Sequence, residues 1–200
     1  MMIDENIGGN YFDKYHSKNP LIKLLINFFS QSFIKAVASE SVTSILDIGC
    51  GEGHLTNILF NYFRSKKQEV CILGLEYDPK IVNLANVLYP NLDVRKGDIF
   101  DLVGKYDLLV CSEVLEHVKD YEKAICSCKN VSKVCVFSVP NEPFFRISNL
   151  FRLRYLKRFG NSPGHINNWS RWEFEKLLKK HFNFVEIRTV FIWNIAKCKS

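Results

Sequence analysis

The sequence predicts an α/β protein: a doubly wound, mostly parallel sheet with helices on both faces, a final antiparallel hairpin and a helical cap. Three observations predict it. Apolar strand-like runs alternate with segments of helical periodicity from residue 43 onward. The runs are continuous rather than alternating, as strands buried on both faces must be. The last two, FVEIRTV and IWNIAK, are separated by a single residue, so no helix fits between them and one must run antiparallel to the rest.

The elements follow in order. Pro20 is suited to the first position of a helix, with Asn19 as its cap. Leu21, Leu24, Leu25 and Phe28 recur at helical spacing, which predicts an amphipathic helix reaching about Val37 and lying on the body of the protein. Residues 39–43 are polar and read as a linker, which divides the chain into a helical lid at 1–40 and a main domain at 41–200. Strands are expected at 43–48, 70–76, 106–111, 134–139, 184–190 and 192–197. Helices are expected at 54–64, after Asp78-Pro79 with Asp78 as cap, and at 115–128. Ser170 and Glu173 have the spacing of a capping box that opens the last helix.

Composition bounds the class. At 200 residues the chain can build one well-buried core, and 47% hydrophobic with 24% charged residues is ordinary for a globular protein. Lys23 and Asn27 interrupt the apolar run LIKLLINFF short of a membrane span, and the start lacks a basic-then-apolar order. The seven cysteines are an odd count, and Cys71, Cys111 and Cys135 lie in apolar runs, which suits reduced, buried thiols. A cytoplasmic location is the expectation. The net charge of +6 is uneven: Arg146, Arg152, Arg154, Lys157 and Arg158 carry no acid among them. That patch suits an acidic substrate, a phosphate or peripheral contact with an anionic membrane.

The stretch ILDIGCGEGH places Gly49, Gly51 and Gly53 between the first strand and the first helix. In an open parallel sheet, ligands bind beyond the carboxyl ends of the strands where strand order reverses. A dinucleotide loop reads G-x-G-x-x-G, whereas the spacing here is G-x-G-x-G with His54 where the later glycine belongs. Asp47 adds negative charge beside the loop, which disfavours a phosphate and favours a ligand with cationic groups. Glu76, at the end of the second strand, stands where a carboxylate can take the two hydroxyls of a ribose.

ILDIGCGEGH, GLEYDP, KGDIFDL and DLLVCSEVLEHV, taken in this order, resemble the successive motifs of the class I S-adenosylmethionine-dependent methyltransferases, in particular their small-molecule and quinone-modifying members. The resemblance covers roughly residues 40–200. It implies a seven-stranded, Rossmann-like sheet and S-adenosylmethionine as cofactor. It also implies that Asp47, Gly49, Cys50, Gly51 and Gly53 line the methionine and ribose part of that cofactor. Glu76 then binds the ribose with Tyr77 packed on the adenine. Asp98 accepts from the adenine amino group with Ile99 against the ring, and Cys111 and Ser112 approach the methionine end.

The acceptor side is less determined. An oxygen or nitrogen acceptor near neutral pH calls for a base, and histidine has the suitable pKa. His165, in GNSPGHINNWS, is the leading candidate, the alternative being that it only orders its loop. His117, in SEVLEHV, is the second, while His16, His54 and His181 read as packing or surface residues. Glu113 suits either a cofactor contact or a structural bond. Cys126 and Cys128 stand two apart without a second pair at ligand spacing, so no metal site is expected. Residues 141–168 form the expected substrate-side insert, with Phe144, Ile147, Phe151, Tyr155 and Phe159 as a helical stripe; either this is a lid helix packed on the core and the N-terminal helix, or its aromatic and basic residues meet an acidic lipid surface or a lipid-like or phosphorylated acceptor. The expected reaction is methyl transfer to a small-molecule or lipid-linked acceptor, most simply at oxygen. A protein or RNA substrate and a non-catalytic partner subunit are the alternatives. Nucleic acid is disfavoured because no (N/D)PP(Y/F)-type strand end is present. Oligomeric state is left open.

Overall fold

The computed structural model describes residues 15, 17–151, 156–162 and 164–200. His16, Arg152, Arg154 and Tyr155 lie outside the described residues, as does nearly all of the segment before the first helix. The described strands are β1 (Ser44–Ile48), β2 (Cys71–Glu76), β3 (Asp93–Lys96), β4 (Leu108–Ser112), β5 (Val134–Pro140), β6 (Phe184–Val190) and β7 (Trp193–Lys199). They form one sheet in the order β3-β2-β1-β4-β5-β7-β6. β7 is antiparallel to both its neighbours and every other pairing is parallel. The final hairpin therefore folds back into the sheet, with β7 slotted between β5 and β6. β3 is the strand that periodicity does not show: its four residues, DVRK, bury only Val94.

Among the described residues six α-helices cover the sheet: α1 (Pro20–Ala38), α2 (His54–Ser65), α3 (Pro79–Leu88), α4 (Tyr121–Val131), α5 (Phe144–Phe151) and α6 (Arg171–Lys179). The caps match their sequence signals. Asn19 Oδ1 accepts from Leu21 N–H at 2.9 Å, Asp78 Oδ1 from Lys80 N–H at 2.8 Å, and Ser170 and Glu173 complete their capping box. One face of the sheet packs Leu46, Leu109 and Phe137 against α4 and α6. The other packs Ile45, Leu108 and Val136 against α1 and α2.

α1 differs from expectation in which face it buries. Its inner residues are Ile26, Phe29, Phe33 and Val37, while Leu21 (60% exposed), Leu24 and Phe28 face outward and Leu25 is half-buried. Both faces of this helix are apolar, so helical spacing alone leaves its rotation open. The fit of Phe29 against Phe33 and Trp193, with ring centroids 5.1 and 4.9 Å away, decides it. Glu40 then ties the end of the helix to β7 through Lys197 and Lys199. α1 is also long and apolar enough, by length and composition, to cross a membrane, but its inner face belongs to the core.

Two further corrections concern local structure. The helix expected at 115–128 is broken into a 3-10 turn, Leu115–His117, and α4, with Val118 extended between them. Asn167 stabilises the break by donating from Nδ2 to the carbonyls of Leu115 (3.0 Å) and Val118 (2.7 Å), groups that an unbroken helix would have paired itself. In the insert, α5 turns Phe145 and Asn149 inward and leaves Phe144 and Ile147 of the stripe exposed, together with Leu150 outside it, so these two do not pack on the core. Phe159 falls after the helix at φ +49° and is exposed. All seven cysteines are free thiols, none joined in a disulfide; Cys111, Cys128, Cys135 and Cys198 are buried, whereas Cys71, the first residue of β2, is exposed.

Candidate functional site

Strand order reverses between β1 and β4, so the cleft for a ligand opens beyond their carboxyl ends. The loop after β1 runs there with all three glycines at positive φ: +65° at Gly49, +57° at Gly51 and +81° at Gly53. Two of them are required for different reasons. A Cβ on Gly49 would lie 2.3 Å from Val114 Cγ2, so this glycine lets the loop press against the end of β4. A Cβ on Gly51 would meet nothing within 4 Å; it would project into open space beside the loop, where a ligand approaches the backbone.

Acidic groups border that space. Glu76 is buried at the end of β2 and is held by two backbone amides: Gly51 N–H donates to Oε2 at 3.0 Å and Asp78 N–H to Oε1 at 3.1 Å. Each oxygen keeps a further lone pair, which is what a ribose diol needs. Asp47, buried in β1, accepts from Thr56 Oγ1 at 2.6 Å. Burial raises its pKa to about 7, and the neighbouring Glu76 charge adds to the rise, despite the Thr56 bond. Two buried carboxylates in one cleft repel an anion and suit a cation. The free protein should therefore lose stability as pH rises from about 4 to about 7, the window between the ordinary carboxyl value and the raised one. A cationic ligand favours the ionised form, so S-adenosylmethionine should bind more tightly at pH 8 than at pH 6 and release protons near pH 7. Calorimetry in buffers of different ionisation enthalpy measures this, and a proton count of zero would remove Asp47 from the site.

The other expected cofactor residues divide. Tyr77 is 69% exposed at the cleft edge, free to pack on a flat ring. Asp98 Oδ1 accepts from Phe100 N–H at 3.0 Å, so one oxygen shapes its own turn. Ile99 is buried in the main core. Cys50 turns its side chain toward Gly74 and Val94 and leaves only its backbone in the loop. Cys111 is fully buried, and its thiol pairs with Cys128, which together with burial raises its pKa. Any ligand contact at Cys111 is thus made by backbone. Ser112 Oγ is hydrogen-bonded to Ser138 Oγ at 2.9 Å. His54 is a packing residue that bonds Tyr89 and Glu52 (2.6 and 2.8 Å) beneath the ring of Tyr15 (4.6 Å). Tyr15 thus lies against the first residue of α2, next to the glycine loop.

On the acceptor side, Glu113 follows β4 directly in the left-handed region (φ +56°), and its Oε1 accepts from Trp193 Nε1 at 2.8 Å, the structural bond among the alternatives. The insert is closed at its base by Asn141 and Trp169, which bridge as isolated β partners. Its last part lies across the Leu115–His117 turn: Ile166 and Asn167 N–H groups both donate to the Glu116 carbonyl, at 2.9 and 3.1 Å. This crossing brings the two candidate histidines together. His117 and His165 stand edge to face, with ring centroids 4.8 Å apart, and Phe145 stacks on His165 at 5.4 Å. His117 Nδ1 lies 3.0 Å from the Gly164 carbonyl, which can only accept, so Nδ1 carries the proton and Nε2 presents its lone pair. Burial lowers the His117 pKa, which keeps that ring neutral. His181 is remote, beside Cys126.

The sequence reading missed Glu116. It is 1% exposed, and one ligand-type atom each from Glu116, His117 and His165 lie within 4.8 Å of one another. The Glu-His pair was legible in SEVLEHV, but nothing in the sequence marks residue 165 as its neighbour.

Residues 16–187 match a family model described as a methyltransferase domain. A probable S-adenosylmethionine-dependent methyltransferase of Mycolicibacterium smegmatis is 29% identical over 107 residues, which are 50% of this chain and 39% of that protein. A ubiquinone biosynthesis O-methyltransferase of Acinetobacter baylyi is 26% identical over 64% of this chain and 55% of its own. The small RNA 2'-O-methyltransferase of Arabidopsis thaliana is 25% identical over 86% of this chain but only 21% of its own length. The chain spans about two fifths of the length of the first curated relatives it matches. Among solved structures, a plantazolicin methyltransferase superposes with a TM-score of 0.71 at 15% identity, covering 94% of this chain and 88% of its own. Magnesium protoporphyrin IX methyltransferase from Synechocystis PCC 6803 gives 0.65 at 15%, covering 100% and 99%.

Proposed function

Because the chain belongs to the methyltransferase-domain family, whose class I members use S-adenosylmethionine, we propose that it methylates an oxygen of a small-molecule or lipid-linked acceptor. The cleft fits that cofactor: open space at Gly51, two acidic side chains for a cationic, ribose-bearing ligand, and an exposed ring at Tyr77. When bound, S-adenosylmethionine supplies an activated methyl group, which passes to the acceptor oxygen as the S–C bond breaks and its electron pair stays on sulfur. Glu76 holds the ribose, Asp47 compensates positive charge, and the glycine loop excludes side chains from the backbone contact.

The observation that carries the oxygen acceptor is the His117–His165 pair beside the cofactor cleft. A hydroxyl must lose its proton for its oxygen to attack, and this pair is where the chain can manage that proton. The aromatic wall at Phe145 and the exposed apolar Phe144, Ile147 and Leu150 of α5 suit an acceptor with an apolar body. Arg146 and Arg158 suit an anionic one or contact with an anionic membrane.

A second reading has its own support. The small RNA 2'-O-methyltransferase aligns over more of this chain than the quinone enzyme does, and the basic insert suits a phosphate backbone. One experiment separates them: transfer of labelled methyl groups to a panel of phenols, lipid-linked phenols in vesicles, RNA oligonucleotides and proteins, with the product bond identified by mass spectrometry. O-methylated phenol supports the first reading. Methylated RNA alone replaces it, and a nitrogen or carbon product removes the oxygen assignment.

A further inference from the structure

We propose that a cavity between the end of α1 and the β6–β7 hairpin is a second ligand site, which binds a small molecule carrying an oxyanion, phosphate or carboxylate, on an apolar body. The cavity stands apart from the cofactor cleft, so this site does not depend on the function proposed above.

The cavity arises because the two faces of the hairpin are covered unequally. On one face Ile187, Ala196 and Cys198 pack with Phe174, Leu177 and Leu178 of α6 in the main core. On the other face α1 reaches the hairpin but leaves a hollow of about 500 Å³ beside β6, the edge strand of the sheet. Small-molecule sites are typically roughly 300–1,000 Å³. Alternate residues of both strands face this hollow: Phe184, Glu186 and Arg188 of β6 stand opposite Lys199, Lys197 and Ile195 of β7.

The charges around it do not balance. Lys197, with its side chain 9% exposed, donates to Ser39 Oγ and pairs with Glu40. Lys199 reaches the same Glu40 carboxylate at 2.7 Å. One carboxylate thus serves two ammonium groups, and among the described residues no further acid is paired with either lysine. Glu186 is matched by Arg188 on its own strand, which donates to its Oε1 from Nε and Nη2 at 2.9 and 2.8 Å. Lys35, in the last turn of α1, adds another cation at the rim. Fastening α1 to β7 needs only the Lys197–Glu40 pair. Lys199 brings a second ammonium to a carboxylate already engaged, and its side chain stays 43% exposed. A partly buried positive charge short of a counter-charge is costly, and a bound oxyanion supplies what is missing.

Apolar surface lies beside these cations. Phe184 is 47% exposed and directly opposite Lys199 in the ladder, and Ile195 is a buried part of the wall. Side chains opposite each other on one face of a sheet are near neighbours, so a ring seated on Phe184 brings its anionic substituent to the Lys199 ammonium. The position also separates this site from the cofactor. Glu40 precedes β1, and Lys199 pairs with Val134, the first residue of β5. The Glu40–Lys199 end of the cavity therefore lies at the amino-terminal ends of the parallel strands, whereas the glycine loop follows the carboxyl end of β1.

The test titrates the full chain, in excess S-adenosylhomocysteine, with phenyl phosphate, benzoate and inorganic phosphate, following backbone amide shifts by nuclear magnetic resonance. Saturable shifts at Glu40, Phe184, Arg188 and Lys199 are expected with an aromatic anion, and the tighter of phenyl phosphate and benzoate identifies the oxyanion. Lys199→Ala and Arg188→Ala should each weaken binding about tenfold, the loss of one hydrogen bond to a charged group, while S-adenosylhomocysteine affinity changes by less than about threefold. Either variant carries the test should the other fail to fold. Glu40→Gln should tighten binding, because it releases both ammonium groups, an effect that ion pairs serving only to fasten α1 would not produce. No saturable shifts with either aromatic anion, shifts confined to residues outside the cavity, or binding unchanged in both Lys199→Ala and Arg188→Ala overturns the inference. Inorganic phosphate binding as tightly as phenyl phosphate overturns it as well, since the apolar seat would then contribute nothing.

Discussion

Gly49→Ala should destabilise the protein by about 2–5 kcal/mol, combining about 1–2 for a left-handed alanine with roughly 1–3 for displacing a packed side chain. The added methyl group would stand 2.3 Å from Val114 Cγ2, and the backbone at φ +65° cannot turn it away. Chemical denaturation measures the loss, and a change under about 0.5 kcal/mol would show that the loop relaxes freely. Removing the obstacle in Gly49→Ala/Val114→Ala should recover the steric part but not the conformational one, so the two changes are coupled. Gly51→Ala is the informative contrast. Its Cβ meets no atom within 4 Å, so the fold should lose only about 1–2 kcal/mol. Cofactor affinity should nevertheless fall steeply, because the methyl group occupies the space that the ligand needs.

Glu76→Ala should weaken S-adenosylhomocysteine binding by about 30- to 100-fold, or about 2–3 kcal/mol, since hydrogen bonds to a charged group are the strong ones. The loss has two sources. The ribose diol loses its acceptors, and the amides of Gly51 and Asp78 lose the carboxylate that sets their direction. Glu76→Gln tests the second source: an amide can accept from one of these N–H groups but turns its own NH2 toward the other. Calorimetry should therefore place it between wild type and Glu76→Ala. An affinity for Glu76→Ala within threefold of wild type would move the ribose site elsewhere.

Much of the cofactor side was legible because its residues are local in sequence. The loop after β1, Glu76 at the end of β2 and the caps Asn19, Asp78 and Ser170 each declare themselves within a few positions. Ile99 and Cys111 show the limit of such reading, because a motif gives a residue's position and not its direction: both side chains lie in the core. The strand pleat turns the Cys111 thiol to Cys128, away from the cleft. α1 shows the same limit on a helix: with apolar residues on both faces, spacing could not choose between Leu21–Leu24–Phe28 and Phe29–Phe33–Val37, and Trp193, 160 positions later than Phe33, chose.

The sequence by itself determined the fold class, the antiparallel finish and the acidic, glycine-lined cleft, since these follow from periodicity, turn chemistry and charge within short windows. Only the tertiary structure decided the acceptor side. Asn167 broke a helix by taking the carbonyls of Leu115 and Val118, and in doing so laid the insert across that turn. Glu116 and His117 came to face His165, 48 positions after His117, because backbone amides of the insert found the Glu116 carbonyl. Such a meeting depends on long-range hydrogen bonds between two irregular segments, and neither segment carries a repeat or spacing that records the other.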